Sequence, residues 1–269
     1  VERLFDTYID THTEPGSAYR KSLVNARDRW LECMGEGRLV SKITDKDMRQ
    51  FSDWLKARMK GSSGASVYNK LISVFNSAVR SRAVGYNPAK LLEPAERPKG
   101  RSSLRKFLSL DELRALAATP CKNPEVKRAF MPSCFTGLRL SDIISLRWDM
   151  IHDGAIYRDM VKTEDLVYVP LSENALEYLG EPSEGPVFRL RSDAQNRRDL
   201  RAWVMAAGLP RTVTFHVARH TFATMLLTYG ADLYTVSKLL GHANIATTQI
   251  YAKIIDKKKD KAVNALPKL

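Results

Sequence analysis

Through most of the chain, apolar residues recur at three- and four-residue steps, and one short segment breaks that rhythm. Over residues 17–34, Leu23, Val24, Ala26, Trp30 and Leu31 fall among charged neighbours at the spacing of one helix face. Thr44 with Asp47 three positions on has the form of a capping box, with Asp in place of Glu. It predicts a helix to about residue 59 that buries Met48, Phe51, Trp54 and Leu55. Residues 60–64, Lys-Gly-Ser-Ser-Gly, read as a loop. The next helix, about 65–84, carries Val67, Leu71, Val74, Phe75 and Ala78 on one face, and Gly85 and Asn87-Pro88 end it. Residues 1–92 are therefore a helical module.

Residues 93–106 lose the periodicity and hold two prolines, a glycine and five basic residues, the character of a linker. Such a segment serves either as a solubilising spacer or as a strap along a phosphate backbone. The second domain, 107–269, opens with Ser109 and Glu112 as a capping box for a helix to about 118, followed by a helix over 124–135. A turn over 136–142 leads into a short helix capped by Ser141, with Ile143, Ile144 and Leu146 inward. From Trp148 the period shortens to two. Residues 150–157 read as two strands about Asp153-Gly154, and 166–171 as a third ending at Pro170. Helices are predicted again over 173–179, 193–207, 215–229, 232–240 and 245–254. The fold class is mainly α with a small three-stranded antiparallel sheet, the sheet belonging to an α+β second domain.

Composition alters this picture in one respect. Apolar content of 44% and charged content of 27% are ordinary for a globular protein, but a net charge of +13 spread over two domains favours a polyanionic partner. A nucleic acid suits it better than a membrane surface, because no helix pairs a basic face with a broad Trp/Phe/Leu face. No apolar run reaches membrane-spanning length, no signal peptide is visible, and Cys33, Cys121 and Cys134 fit reduced, mostly buried thiols of a cytoplasmic protein. The chain begins at Val1 rather than Met, which leaves room for an upstream domain.

The densest chemistry lies over 214–254, with His216, Arg219, His220, His242 and Tyr251. His216 and His220 have the i, i+4 spacing of a zinc pair, yet Val217 and Ala218 stand where a zinc hydrolase wants glutamate and no Cys/His set completes the ligands. Taken singly, Arg219 could be a surface cation, Tyr251 a core residue and His242 a helix cap. Taken together they read differently. Arg219 is flanked by Val217, Ala218, Phe222 and Ala223, and no Asp or Glu occurs over 213–230, so its charge calls for an anion from outside the helix, such as a phosphate.

Thr-Gly-Leu-Arg-Leu-Ser-Asp at 136–142, His-Val-Ala-Arg-His-Thr-Phe-Ala-Thr at 216–224, and Leu-Gly-His followed nine residues later by Tyr251 resemble the signature boxes of the tyrosine recombinase (phage integrase) family. The order and spacing match, with a lysine before a strand between the first two boxes. The likeness covers about residues 105–256 and points toward integrases of integrative and conjugative elements, and the first domain resembles the family's core-binding domain. The resemblance implies Tyr251 as nucleophile, Arg139 and Arg219 as the clamp on the scissile phosphate, His216 as proton acceptor, Lys162 as proton donor to the leaving oxygen, and His242 on the phosphate. Asp142, where the family more often has Glu, would support Arg139, and His220 would serve structure alone.

By the same resemblance, the reaction cuts and rejoins DNA through a 3'-phosphotyrosyl link and a four-way junction, without ATP, metal or other cofactor. The implied assembly is a homotetramer of DNA clamps that exchange C-terminal tails from about residue 255, possible accessory DNA-bending proteins included, at the bacterial nucleoid. Lys70, Arg80, Arg82, Arg101 and Arg105 are candidate backbone contacts. The competing reading is a catalytically silent architectural DNA-binding protein.

Overall fold

A computed structural model of the chain describes residues 1–100, 106–159, 166–209, 212–242 and 244–251. It divides into two compact units, residues 1–103 and 104–269. The first unit holds α1 (Glu2–His12), α2 (Ala18–Met34), α3 (Asp45–Arg58) and α4 (Ser63–Arg80). α1 adds a helix to those the periodicity predicts, and it buries Phe5 and Ile9. On α4 all five residues of the predicted stripe are buried, while on α3 Trp54 sits at the edge of the core beside fully covered Met48, Phe51 and Leu55. Trp30 of α2 is the centre of this core, meeting Phe51 edge-on at 5.0 Å between ring centroids.

The capping box at the head of α3 forms as its spacing predicts. Thr44 Oγ1 accepts the Asp47 N–H at 3.3 Å and the Asp47 carboxylate accepts the Thr44 N–H at 2.9 Å. These bonds to the charged form, with Arg38 alongside, hold the Asp47 carboxyl below its usual range. Residues 93–100, which composition marks as the start of a linker, are fastened to the first unit instead. Ser52 Oγ donates to the Glu96 carbonyl at 2.8 Å, and the Arg97 guanidinium donates to the carbonyl of Leu92.

The second unit begins with α5 (Leu110–Ala118) and α6 (Pro124–Thr136). The Ser109–Glu112 capping box is present, with bonds of 3.2 and 2.7 Å. α7 (Leu140–Ser145) starts two residues earlier than a Ser141 cap would allow, with Arg139 at its N-cap position. The sheet then follows, β1 (Ile151–His152), β2 (Ala155–Asp159) and β3 (Leu166–Pro170), antiparallel in the order β1-β2-β3. Asp153 and Gly154 between β1 and β2 have φ of 51° and 71°, the two left-handed positions of a type I′ hairpin turn. Among the described residues, α8 (Glu173–Leu179), α9 (Asp193–Ala206), α10 (Phe215–Thr228) and α11 (Leu233–Leu239) follow. α10 is covered on nearly every side and packs against α6, so it is the axis of the unit. Among the described residues no helix is long and apolar enough to cross a membrane.

The helix predicted over 245–254 does not form in its described part. Two 3₁₀ turns, Ile245–Thr247 and Gln249–Tyr251, take its place. The Asn244 side chain accepts the Ala246 N–H at 2.8 Å, a turn that competes with helix, and four β-branched residues in the next six weaken the helical alternative. Thr248 is wholly buried and bonded to His242, which fixes the irregular path.

One glycine is demanded by both conformation and space. Gly137, after α6, has φ of 68°, and a Cβ there would stand 2.4 Å from Phe222 Cδ1 and 2.9 Å from Leu240 Cδ2. Gly137→Ala therefore combines a left-handed backbone penalty of about 1–2 kcal/mol with an overpacking penalty of about 1–3 kcal/mol. Thermal denaturation should show Tm lowered by roughly 5 °C or more, and an unchanged Tm would mean that the turn can rebuild.

Candidate phosphate pocket and nucleophile

Thr214 caps α10, its hydroxyl accepting the Val217 N–H at 3.4 Å, and the helix carries Arg219 into the interior with 4% of its surface exposed. The absence of a nearby carboxylate on α10 suggests a charge waiting for an external anion. The structure corrects that reading in part. Arg219 Nη1 donates to the Gly137 carbonyl at 2.7 Å, and Nη2 donates to the Leu240 carbonyl at 2.6 Å. The guanidinium thus ties the end of α6 and the end of α11 to the middle of α10. Carbonyl dipoles satisfy N–H groups without cancelling a charge, so the site keeps its positive potential.

That potential falls on a small pocket lined by Gly137, Arg139, Asp142, Arg219, Leu240 and Gly241, with Ile156 and Val169 of the sheet as an apolar wall. Arg139 is exposed at the head of α7. Asp142 fixes its backbone by accepting the Arg139 N–H at 3.1 Å, so the carboxylate supports the arginine through the main chain. Burial, and then the charge of Arg139, push the Arg219 guanidinium down to about 10, while Tyr251 and Asp142 act in the opposite sense. Arg139 and the Tyr251 phenol are therefore each close enough to act on Arg219.

His242, half-buried after α11, pairs its Nδ1 with Thr248 Oγ1 at 2.8 Å. Burial and the charges of Arg219 and Arg139 push its imidazole down to about 4, so it is neutral at pH 7. When the Thr248 hydroxyl donates to Nδ1, the ring proton lies on Nε2, where it can be given to an anion.

Tyr251, only 3% exposed, packs with Phe222, Leu227, Val236 and Leu240. Its phenolic oxygen is hydrogen-bonded to Nδ1 of His220, which is itself buried. His216 lies one turn earlier on α10 with its side chain exposed, its ring edge-to-face with that of His220 at 4.3 Å between centroids. Arg139, Asp142, Arg219, His242 and Tyr251 are thus gathered by direct contact or electrostatic influence. His220, which sequence reasoning sets aside as structural, is the histidine on the phenol. Its i, i+4 spacing from His216 is visible in the sequence, but the partner 31 residues away is not. Lys162 lies outside the described residues, as do Arg101 and Arg105 of the candidate backbone contacts. Arg80 and Arg82 are exposed at and just beyond the end of α4, and Lys70, half-buried on α4, donates to Ser66 Oγ at 2.8 Å.

Residues 106–258 match the family model described as the phage integrase family. The chain belongs to that family. It is 29% identical over 263 residues to the tyrosine recombinase XerD of Vibrio cholerae, spanning 88% of this chain and 85% of the relative. It is 30% identical over 240 residues to the tyrosine recombinase XerC of Pelobacter propionicus, spanning 82% and 78%. In fold it is similar to the Tn1549 transposon integrase solved with transposon right end DNA, with a TM-score of 0.74 at 14% identity over 97% of this chain and 99% of that one. It is also similar to a lambda integrase dimer bound to a COC' core site, with a TM-score of 0.67 at 20% identity over 93% and 94%. This member of the phage integrase family is a tyrosine-type site-specific recombinase, and the silent architectural reading is not favoured.

The depressed His242 makes folding pH-dependent. Below the ordinary value of 6.5 the unfolded chain takes up a proton that the folded recombinase refuses until about 4, so stability falls as pH drops through that window and is indifferent to this group above it. His242→Asn, which keeps an acceptor beside Thr248, should flatten the trend. The Tm difference between the native protein and the variant should change between pH 4.5 and pH 7, and a constant difference would refute the cause given.

Proposed function

We propose that this recombinase opens a phosphodiester of double-stranded DNA by in-line attack of the Tyr251 phenol. The Tyr251 oxygen forms a bond to phosphorus as the bond from phosphorus to the 5'-oxygen breaks. A 3'-phosphotyrosyl link and a free 5'-hydroxyl result. One phosphodiester replaces another, so rejoining by a 5'-hydroxyl needs no ATP. Arg139 and Arg219 hold the two nonbridging oxygens, where negative charge grows in the transition state, and neutral His242 adds a hydrogen bond. A phenol titrates near ~10, so a histidine of α10 must take its proton. Lys162, on the segment between β2 and β3, protonates the 5'-oxygen.

The observation that carries this reading is one small pocket lined by both Arg139 and Arg219, with Tyr251 in the same apolar cluster as Leu240 of its wall. Its polyanionic partner is supported by the charge of +13 and by the related integrases solved with DNA. The finer proposal is a homotetramer on paired sites at the bacterial nucleoid, in which Lys70, Arg80, Arg82, Arg101 and Arg105 take up backbone phosphates. Each tail from about residue 255, outside the described residues, docks on a neighbouring subunit, with DNA-bending proteins as accessory partners.

Two substitutions test the chemistry. Tyr251→Phe should bind a selected duplex as the native protein does and give no covalent adduct on denaturing electrophoresis, and an adduct that survives would remove Tyr251 from the reaction. Arg139→Ala should slow adduct formation about 10²–10³-fold, the scale of losing one oxyanion donor, with a rate near native excluding it from the clamp.

A further inference from the structure

We infer that His220, rather than His216, takes the proton from Tyr251 during strand cleavage and returns it during rejoining. The inference rests on the proposed phenol attack and names the base of that step. A general base must be within hydrogen-bond reach of the proton it removes. Nδ1 of His220 is hydrogen-bonded to the phenolic oxygen, and the two rings are 5.5 Å apart between centroids. The side chain of His216 is exposed and its ring lies against that of His220. With its own ring proton on Nε2, His220 presents the Nδ1 lone pair to the phenol O–H.

The position on α10 matters as much as the contact. Arg219 and His220 are consecutive, so their side chains leave the helix about 100° apart. Arg219 reaches the Gly137 and Leu240 carbonyls at the pocket, and His220 reaches the phenol. One rigid helix therefore sets the separation between phosphate holder and base. In the step itself the O–H pair of Tyr251 becomes the new bond to phosphorus, and the proton passes to Nδ1. It remains there while the phosphotyrosyl link lasts. When a 5'-hydroxyl attacks and the phenolate leaves, the same proton goes back to the Tyr251 oxygen, so the cycle has no net proton change.

The test uses the whole chain and a duplex that it selects from a randomised pool, with the cleaved phosphate mapped from the native adduct. Two versions are compared, one normal and one with a 5'-bridging sulfur at that phosphate, a leaving group that needs no proton. His220→Asn keeps a hydrogen-bond acceptor where Nδ1 stands but cannot hold a proton, and His220→Ala removes both functions. Melting curves and duplex binding check that each variant is folded. Both variants should form adduct about 10²-fold or more slowly than the native protein, and the bridging sulfur should leave that defect in place. A rate for His220→Asn within about three-fold of native, or recovery on the sulfur substrate, overturns the inference. So does a persistent defect in His216→Asn alone. Native adduct lost in Tyr251→Phe but kept in His220→Asn would fail this inference only, whereas a native chain that forms no adduct would fail the phenol attack itself.

Discussion

A buried guanidinium held by two main-chain carbonyls is the constraint on which the catalytic unit depends. Leaving a charge of this kind without partners in the interior costs several kcal/mol, and each carbonyl deprived of its donor adds about 1–3 kcal/mol. Arg219 avoids both penalties by donating to Gly137 and Leu240. It thereby fastens α6 and α11 to α10 at a single point. Because the acceptors are dipoles and not carboxylates, the stabilisation leaves the positive charge uncancelled. A salt bridge would have done the structural job equally well and spoiled the pocket for an anion.

The surroundings reinforce that choice. Gly137 can offer its carbonyl to Arg219 because its left-handed backbone turns the chain beneath Phe222 and Leu240, where no side chain fits. The same turn delivers Arg139 to the head of α7, where the Asp142 carboxylate is engaged by main-chain N–H and by Ser141. His242 stays neutral beside two cations and so adds no further charge repulsion. Packing, turn geometry and electrostatics together leave the small pocket lined by Arg139 and Arg219 with a positive potential, which suits an anion.

Local signals were the legible part of the fold. Thr44 with Asp47 and Ser109 with Glu112 close their capping boxes because each bond spans three residues and needs no tertiary help. Asp153-Gly154 makes its hairpin because only such residues accept two successive positive φ values readily. The segment over 245–251 was not legible, since its apolar spacing suits a helix. An Asx turn at Asn244 and the bond from Thr248 to His242 decide otherwise. Residues 93–100 misled in a similar way, their composition being that of a linker while Glu96 and Arg97 hold them to the helical core.

The sequence by itself determined which groups were available: two arginines in separated boxes, three histidines, one tyrosine, and no carboxylate on the helix that carries Arg219. Those identities and their spacing carried the family resemblance, because motif spacing is a one-dimensional property. The tertiary structure alone decided which group touches which. Arg219 meets a carbonyl 82 residues away, and the phenol of Tyr251 meets His220 across 31 residues. Such pairings depend on how α6, α10 and α11 pack, and helix periodicity fixes only the face a residue occupies, not the partner brought against it.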